Sequence, residues 1–374
     1  MTVPHILCVV GARPNFMKIA PIMRAFAART DLRASLLHTG QHYDAAMKQS
    51  FFDQLAIPEP DVDLGVGSGT HSQQTAQIML RFEEELDRLQ PDAVLVVGDV
   101  NSTIACALVA VKNHVPVIHV EAGLRSFDRA MPEEINRILT DQISDVLFTT
   151  EADAAQNLSR EGIEGEKVVF VGNVMIDTLH YNLASAVPAK DTLDAAGQAA
   201  VEDYALVTLH RPSNVDDPQT LRRLLGVLLE VHDRTPLVFP VHPRTRGRLE
   251  ALGLMDELRD GGVTLLEPQG YREMLGLMRD AALVLTDSGG IQEETTALGV
   301  PCLTLRESTE RPITVSEGTN TVVGTMPEDI REAYEQLMGG DGKAGRQPQL
   351  WDGKAAVRIA EHLSTWLQQR REAV

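Results

Sequence analysis

The sequence predicts an α/β protein with two doubly wound, Rossmann-like domains that face a cleft, and three observations support this. Short runs rich in Val, Leu and Ile alternate with amphipathic stretches, which is typical of βα units in a mostly parallel sheet. The 374 residues exceed the usual size of a single core, so two domains are expected. With 43% hydrophobic but only 4% aromatic residues, the composition favours α/β layers over an all-β sandwich or a disordered chain.

Two series of strands are expected along the chain. The first series covers residues 5–10, 34–39, 93–98, 115–120, 145–149 and 167–171. The second series begins near Tyr204 and continues at 236–241, 263–266, 283–286 and 301–305. The loosest segment between them runs from Ala184 to Gly197, and we expect a hinge close to Gly172. The expected divisions are an N-terminal domain at 1–172, a C-terminal domain at 173–350 and a helical segment at 351–374 that Asp352 would cap.

The charge balance and the cysteines limit the function classes. A formal charge of −19 argues against a general polyanion-binding surface, so nucleic acid is not expected as a partner and any phosphate must meet a local cluster of cations. Cys8, Cys106 and Cys302 are widely spaced among apolar residues, which predicts core residues in a reducing compartment rather than disulfides or a metal site. With no leader peptide after Met1 and no apolar run of roughly 18 residues, we expect a soluble, cytoplasmic protein without membrane contact.

The most informative stretch is a strand that meets two glycines. The apolar run at 283–286 is soon followed by Ser288, Gly289 and Gly290, which predicts a helix whose free N–H groups and positive dipole end can hold a phosphate. Glu294, about a turn and a half into that helix, is a candidate acceptor for ribose hydroxyls. The alternative is an ordinary βα corner in which Ser288 is the N-cap and the acidic residues serve the helix dipole.

Cationic side chains follow other strands. Arg13 offers a planar fork to phosphate oxygens and Lys18 a point charge beside it, and Arg311 is placed to reach the same diphosphate. The alternative for Arg13 and Lys18 is a solvated pair that opens a surface helix. Arg244 and Arg246 follow a further strand and are candidates to pair with a uronate carboxylate.

Carboxylates directly follow two strands of the first half. Asp99 and Glu121 would face one cleft, because ligands bind beyond the carboxyl ends of parallel strands, and burial there adapts carboxylates to acid–base work. For Asp99 the alternative is a helix N-cap. Glu133 lies in the first turn of the next predicted helix, and its alternative role is a solvated ion-pair ladder with Arg137 and Asp141.

An imidazole ends a strand of the second half. Asp217 and Pro218 are predicted to be the N-cap and the first residue of the next helix, so His210 is not needed to start that helix. We therefore favour a role in the cleft for His210 over a neutral histidine with an ordinary hydrogen bond. Asp61 and Asp63 are interpreted as solvated turn residues, and the sequence contains no convincing metal-ligand spacing, P-loop or Ser-His-Asp order.

Taken together, these motifs resemble one known family. The chain contains, in order between about Gly11 and Pro312, the segments GARPNFMKIAP, TGQHYD, GDVNST, HVEAGLRS, PEEINR, LHRPSN, TDSGGIQEE and STERP. They resemble the non-hydrolysing UDP-N-acetylglucosamine 2-epimerases. The resemblance implies the two-Rossmann-domain architecture of glycosyltransferase-B enzymes, in which a C-terminal helix crosses back to the first domain. It also implies a UDP-sugar substrate, no cofactor or metal, and a homodimer.

The resemblance assigns roles to particular residues of this chain. The catalytic set of the family falls on Asp99, Glu121, Glu133 and His210. The UDP-binding set falls on Arg13, Lys18, Ser288, Gly289, Gly290, Glu294 and Arg311, with Gln269 and Met274 in the segment that lies against the uracil. Met274 departs from the aromatic residue often found there, so we expect thioether packing in place of base stacking.

The implied reaction interconverts UDP-N-acetylglucosamine and UDP-N-acetylmannosamine. UDP is eliminated, a 2-acetamidoglucal forms, and UDP adds back with inversion at C2, which favours two acid–base groups on opposite faces of the sugar. His210 would orient a phosphate or stabilise the leaving group. The alternatives are a 2-epimerase of UDP-2,3-diacetamido-glucuronate, a hydrolysing 2-epimerase, a UDP-sugar glycosyltransferase and a nucleotide-sugar sensor without turnover.

One departure from the family pattern concerns regulation. Many bacterial members have a second, activating substrate site that uses a Gln three residues beyond the one matching Gln41 and an Arg near residue 69. This chain has Asp44 and Gly69 at those places. We therefore expect substrate activation to be weak or absent.

Overall fold

The computed structural model describes residues 3–41, 52 and 54–372, and strands alternate with helices through this part of the chain. The chain divides into two compact units. The first consists of Met1–Tyr181 and Gln349–Val374, and the second of Asn182–Pro348. The division between the units therefore follows Tyr181, whereas the sequence suggested a hinge close to Gly172.

The first unit contains a parallel sheet with strand order β3-β2-β1-β4-β5-β6-β7 among the described residues. Its strands are β1 His5–Val10, β2 Arg33–His38, β3 Val62–Asp63, β4 Ala93–Val97, β5 Val117–Ala122, β6 Val146–Thr149 and β7 Val168–Phe170. Its helices are α1 Arg13–Ala27, α2 His71–Leu89, α3 Asn101–Lys112, α4 Pro132–Ile143, α5 Ala152–Arg160 and α6 Val174–Leu183, which runs across the division.

The second unit repeats this design with the order β10-β9-β8-β11-β12-β13, again parallel. Its strands are β8 Ala205–Thr208, β9 Leu237–Pro240, β10 Thr264–Leu266, β11 Leu283–Thr286, β12 Cys302–Thr304 and β13 Asn320–Val322. Its helices are α7 Ala189–Ala195, α8 Pro212–Val215, α9 Pro218–His232, α10 Pro243–Ala251, α11 Leu254–Asp260, α12 Tyr271–Arg279, α13 Gly289–Leu298, α14 Pro312–Ser316 and α15 Pro327–Gln336. The last helix, α16 Ala355–Glu372, belongs to the first unit.

The two sheets confirm the predicted fold class. In each sheet the strand order reverses at one place, between β1 and β4 in the first unit and between β8 and β11 in the second. Open α/β sheets bind ligands beyond the carboxyl ends of the strands at such a reversal. The segments that follow β1, β4, β8 and β11 carry many of the candidate residues, so the fold gathers them at the expected places within each unit.

The cores are apolar, and the cysteines lie within them. β1, β4 and β11 are buried along their whole length, as expected for strands covered by helices on both faces. Cys8, Cys106 and Cys302 are free and buried, which confirms their prediction as core residues. Burial raises the pKa of the Cys302 thiol to about 12. In the described part of the chain, no helix combines the length and the apolar character needed to cross a membrane.

Two strands were missed by the sequence analysis. β3 and β13 are only two and three residues long and lie at the outer edges of their sheets, where one neighbouring strand suffices. Asp63, interpreted as a solvated turn residue, is in fact part of β3, which pairs with β2. The preceding Asp61 uses a carboxylate oxygen to accept the Leu36 N–H at 2.8 Å, which aligns the two strands.

The cap predicted for the last helix is also wrong. α16 begins at Ala355, and its first N–H groups are bound by Asp177 of α6, at 3.1 Å from Ala355 N and 2.7 Å from Ala356 N. Asp352 instead forms an ion pair with Arg358. A side chain distant in sequence thus supplies the cap that a local residue was expected to provide.

Asp177 makes the docking of α16 depend on pH. Burial raises its pKa from 3.8 to about 6, although the two N–H groups act in the opposite direction. A carboxyl whose pKa is higher in the folded state stabilises the fold when protonated, and this stabilisation is lost as the pH rises through 6. We expect the wild-type protein to lose on the order of 2–3 kcal/mol relative to Asp177→Asn between pH 4 and pH 7.

Urea unfolding at several pH values measures this difference. Asp352→Asn is the matched control at the start of the same helix, because a hydrogen bond from Arg358 lowers the pKa of Asp352. Its difference from the wild type should therefore change below about pH 4, with the opposite sign. A difference between the wild type and Asp177→Asn that stays constant from pH 4 to pH 7 would contradict the expectation.

Candidate active site

Lys18 and Glu121 form a buried ion pair in the first unit. Lys18 lies on α1, and Glu121 lies near the end of β5. The register of β5 against β6 shifts between Val120 and Ala122, and Glu121 has a φ of 72°, in the left-handed region that non-glycine residues rarely adopt. This irregularity directs the Glu121 carboxylate towards the Lys18 ammonium, and the two side chains are only 5% and 7% exposed.

Gly98 brings the end of β4 against this ion pair. Its φ is 66°, and a Cβ atom at this position would lie 2.8 Å from Lys18 Nζ and 3.7 Å from Glu121 Oε2. Only glycine combines this conformation with such a close approach. Since Asp99 follows Gly98 directly, two of the candidate carboxylates start from backbone in the same small region of the first unit.

Asp99 is bound by Arg137, a buried arginine that the sequence analysis considered only as part of an alternative, solvated ladder. Asp99 Oδ2 accepts from Arg137 Nε at 2.9 Å, and Arg137 Nη2 lies 2.7 Å from the same oxygen. The N-cap position of α3 is occupied by Val100, so the interpretation of Asp99 as that cap is wrong.

The alternative interpretation of α4 as a solvated ion-pair ladder is also wrong. Arg137 and Asp141 are buried, and Arg137 Nη1 donates to Glu134 Oε2 at 2.7 Å. Glu134 further accepts the N–H groups of Ser126 and Phe127, both at 2.9 Å. Burial acts to raise the pKa of Glu134, but these N–H groups and Arg137 lower it overall. Glu133, the predicted catalytic residue, is partly exposed in the first turn of α4, one position before this structural carboxylate.

His210 is held by a carboxylate in the second unit. It follows β8, and its Nδ1 lies 2.9 Å from Oδ1 of Asp287, which follows β11. The imidazole is 41% exposed, whereas the Asp287 side chain is fully buried. The pairing of Nδ1 with Asp287 leaves Nε2 as the ring nitrogen available for a ligand. Asp217 and Pro218 begin α9 as predicted, so the helix start does not use His210.

Asp287 organises the whole turn after β8. It accepts the backbone N–H of His210 at 3.0 Å, the backbone N–H of Arg211 at 2.9 Å and the side-chain amide of Asn214 at 3.2 Å. Burial acts to raise the pKa of Asp287, but the bonds from His210 and Arg211 hold it below its usual value. The sequence analysis did not single out Asp287 and missed its role.

The Gly-rich turn begins a helix as predicted. α13 starts at Gly289 with Ser288 in the N-cap position, but the Ser288 side chain makes no capping hydrogen bond. Ser288 therefore occupies the N-cap position, as the alternative interpretation proposed, but its side chain does not act as a cap. The N–H groups at the start of α13 point along the helix axis, where an anion is favoured.

Arginines and carboxylates, all of them buried except the half-buried Arg211, lie near this helix start. Glu310 accepts from Arg306 Nη2 at 2.8 Å and from Arg211 Nη2 at 3.2 Å, and Arg311 lies 2.9 Å from Glu293. A Cβ atom on Gly289 would lie 3.0 Å from Glu310 Oε1. Burial acts to raise the pKa of Glu310, but the three arginines hold it far below its usual range. A cationic cluster with its own counter-charges thus lies beside the predicted phosphate site.

Glu294 lies farther along α13. It is buried, and its Oε1 accepts from the hydroxyl of Tyr271 at 2.9 Å, so the carboxylate is oriented before any ligand binds. Gln269 is partly exposed and donates to the carbonyl of Glu267 at 2.7 Å, and Met274 is partly buried on α12. The structure therefore places Glu294, Gln269 and Met274 on adjoining segments of the second unit.

Three predicted cations remain. Arg13 begins α1, and its side chain lies outside the described residues. Arg244 pairs with Asp216, and Arg246 lies 2.9 Å from Glu267. Both arginines proposed for a uronate carboxylate are thus already engaged by protein carboxylates. Among residues 3–41, 52 and 54–372, no group of three or more His, Cys, Asp or Glu side chains is arranged to hold a metal ion.

Comparison with known proteins gives a consistent result. A family model described as UDP-N-acetylglucosamine 2-epimerase matches residues 24–364. The chain is 43% identical to the UDP-N-acetylglucosamine 2-epimerase of Methanocaldococcus jannaschii over 95% of this chain and 98% of that protein. It is also 43% identical to the UDP-2,3-diacetamido-2,3-dideoxy-D-glucuronate 2-epimerase of Pseudomonas aeruginosa, over 96% and 99%. A crystal structure of the M. jannaschii enzyme with UDP-GlcNAc and UDP has a TM-score of 0.88 at 41% identity and covers 96% of this chain and 99% of that one.

The carboxylate of Asp287 should be essential to the second unit. Asp287→Asn leaves a single acceptor oxygen for four donors in a buried site, so we expect a loss of about 2–4 kcal/mol in the free energy of unfolding. It should also change which ring nitrogen of His210 carries the proton, which 15N chemical shifts report. Asp217→Asn is the control, because Asn is an equally good N-cap and should cost under about 1 kcal/mol. Equal urea midpoints for the two variants would refute the assignment.

Proposed function

The chain belongs to the UDP-N-acetylglucosamine 2-epimerase family, and from this premise we propose that it interconverts UDP-N-acetylglucosamine and UDP-N-acetylmannosamine. The observation that carries the proposal is the pair of carboxylates Glu121 and Asp99 at the ends of neighbouring parallel strands, each held by a cation of the first unit. A sensor that only bound a nucleotide sugar would need no such acid–base set.

The reaction proceeds through elimination and re-addition. A base removes the proton from sugar C2 while the C1–O bond breaks and UDP leaves with the bonding electrons, which gives 2-acetamidoglucal. A proton is then delivered to C2 from the opposite face, and the diphosphate oxygen bonds again to C1. Because the C2 proton is poorly acidic, stabilisation of the departing UDP anion must assist its removal.

Two of three carboxylates exchange the protons in this scheme. Glu121, Asp99 and Glu133 are the candidates, since two faces of the sugar require two acid–base groups. The buried contacts of Glu121 and Asp99 support them as the oriented groups, while the exposure of Glu133 supports contact with a ligand. His210, with Nδ1 on Asp287, presents Nε2 to a phosphate or to the leaving oxygen.

UDP is held by cations and by the start of α13. We assign the diphosphate to Arg13, Lys18, Arg311 and the N–H groups at Ser288, Gly289 and Gly290. Glu294 takes the ribose hydroxyls, and its orientation by Tyr271 supports this role. Gln269 and Met274 lie against the uracil, where a thioether makes soft contacts with the ring.

A second substrate is favoured by one observation. The P. aeruginosa relative that acts on UDP-2,3-diacetamido-2,3-dideoxy-D-glucuronate is as similar to this chain as the M. jannaschii enzyme, at 43% identity. Against it, Arg244 and Arg246 are bound to Asp216 and Glu267, so neither is preformed to receive a uronate carboxylate. We therefore retain the N-acetylglucosamine derivative as the principal substrate.

The cellular setting follows from the same family. We propose a cytoplasmic homodimer that needs no metal or other cofactor. Three free, buried cysteines support a reducing compartment, where disulfides are rare.

Incubation with UDP-N-acetylglucosamine in deuterated water tests the reaction. We expect UDP-N-acetylmannosamine with deuterium at C2, and deuterium at C2 of the recovered substrate, because the proton removed exchanges with solvent. Release of free N-acetylmannosamine would indicate the hydrolysing alternative. If only UDP-2,3-diacetamido-glucuronate gave a product in a parallel incubation, the assignment would move to that sugar. The absence of both product and exchange at C2 would refute the epimerase proposal.

Variants of the carboxylate set make the same test specific. Glu121→Gln should lower kcat by roughly 10²–10⁴-fold, because general acid–base catalysis contributes on that scale. Glu164→Gln, in an exposed loop, is the control and should retain full activity. A Glu121→Gln enzyme with normal kcat would remove Glu121 from the mechanism.

Substrate activation should be weak or absent. Asp44 lies outside the described residues, and Gly69 lies in the segment between β3 and α2, where an arginine is found in many bacterial members. We expect hyperbolic dependence of the rate on UDP-N-acetylglucosamine, with UDP-N-acetylmannosamine converted without added activator. Strongly sigmoidal kinetics that Asp44→Ala abolishes would overturn this proposal.

A further inference from the structure

Glu121 is held in a conformation that its own backbone disfavours. A φ of 72° is common for glycine but costs free energy for a glutamate, and it persists only where the surroundings impose it. Val120 and Ala122, the residues on either side of Glu121, both belong to β5, and the shift in register against β6 is confined to the step between them. Some neighbouring group must therefore fix the chain both before and after Glu121.

One buried carboxylate contacts the chain on both sides. Asp141 Oδ1 lies 2.7 Å from Nδ1 of His119, two residues before Glu121. Asp141 Oδ2 accepts the backbone N–H of Gly123 at 3.1 Å and Nη2 of Arg125 at 2.7 Å, after Glu121. The His119 and Asp141 side chains are fully buried, and that of Arg125 is 1% exposed.

The residues that Asp141 binds are themselves held by further contacts. His119 Nε2 lies 2.8 Å from the carbonyl oxygen of Gly98, so the imidazole connects Asp141 with the end of β4. Arg125 donates to Glu161 at 2.8 and 2.6 Å. A Cβ atom on Gly123 would lie 2.7 Å from the Ala154 carbonyl oxygen, so this turn runs directly against α5. The segment around Glu121 therefore has no easy alternative path.

We propose that Asp141 is a positioning residue that holds Glu121 in its left-handed conformation by binding residues on both sides of it. The catalytic consequence rests on the proposed role of Glu121, whereas the conformational part stands without it. Arg137, one helical turn earlier on α4, binds the Asp99 carboxylate directly. Helix α4 thus presents two charged side chains, four residues apart, to the two strand ends that carry the candidate acid–base groups.

Asp141→Asn tests the proposal, with Asp145→Asn as the matched control. Asp145 also binds β5, but at its opposite end, where its Oδ2 accepts the Val117 N–H at 2.9 Å. We expect Asp141→Asn to lower kcat at least 30-fold while KM and the Kd for UDP change less than about threefold, because UDP is anchored largely by other residues. Asp145→Asn should keep kcat within about twofold. Equal losses of kcat in the two variants would mean that Asp141 only supports the fold.

A second measurement does not require activity. Glu121→Gly should unfold at a higher temperature than Glu121→Ala when Asp141 is present, because glycine tolerates the left-handed conformation. In the Asp141→Asn background this advantage should shrink, since the segment is free to relax. If the difference in unfolding temperature between Glu121→Gly and Glu121→Ala did not change, the proposal would be overturned. This outcome does not depend on the proposed function, because it can be measured even if the wild-type enzyme shows no exchange at C2.

Asp141→Glu covers the case in which the asparagine variant does not fold. It keeps the charge but lengthens the side chain by one methylene, so it should lower kcat as Asp141→Asn does. Wild-type kcat in Asp141→Glu would show that only the charge matters and would refute a positioning role.

Discussion

Buried charge is the constraint on which the site depends. A carboxylate at the carboxyl end of a parallel strand is surrounded by backbone and apolar helices, where an unpaired charge is costly. The carboxylates here have partners of opposite charge or N–H donors. Asp287 has three N–H groups and an imidazole, and Glu121 lies against the ammonium of Lys18. The same partners that make burial tolerable also fix the orientation of each carboxylate, so stability and chemistry share one set of contacts.

The two units meet this constraint differently. In the first unit, helix α4 carries the partners, and its Arg137 and Asp141 reach inward to two strand ends. In the second unit, the turn after β8 folds around Asp287, which is bound by two backbone N–H groups of that turn and by the side chains of His210 and Asn214. The geometry of the site in the first unit therefore depends on ion pairs from helix α4. The geometry of the site in the second unit depends on the turn after β8. The candidate acid–base groups lie in the first kind of site and the candidate imidazole in the second.

Much of the fold could be predicted because it depends on local patterns. Buried parallel strands are continuous apolar runs, and the start of α9 at Asp217 and Pro218 follows from cap chemistry alone. What could not be predicted depends on contacts between distant residues. The N–H groups of α16 are capped by Asp177, 178 residues before Ala355. The short strands β3 and β13 are defined by a neighbouring strand rather than by their own composition.

The candidate site shows the same division at the level of single residues. Asp99, Glu121 and His210 could be selected because they directly follow apolar runs. The supporting residues Arg137 and Asp141 could not be selected, since their spacing fits a solvated ladder as well as two inward contacts, and only tertiary burial distinguishes the two. Likewise, nothing in the sequence separates the partly exposed Glu133 from the buried Glu134 beside it.

The ion pairs of the arginines also affect how a chain with a net negative charge binds a diphosphate. The formal charge of −19 leaves no general attraction for anions, so in the proposed site the affinity must come from local cations, among them the cluster at α13. There Arg211 and Arg306 share Glu310, and Arg311 lies on Glu293, so each guanidinium is oriented before a ligand arrives. In the proposed reaction, UDP must leave the sugar yet remain bound until it adds back. In that reaction, arginines whose charge is partly balanced by carboxylates would hold the departing UDP anion without making it so stable that its return to C1 becomes the slow step.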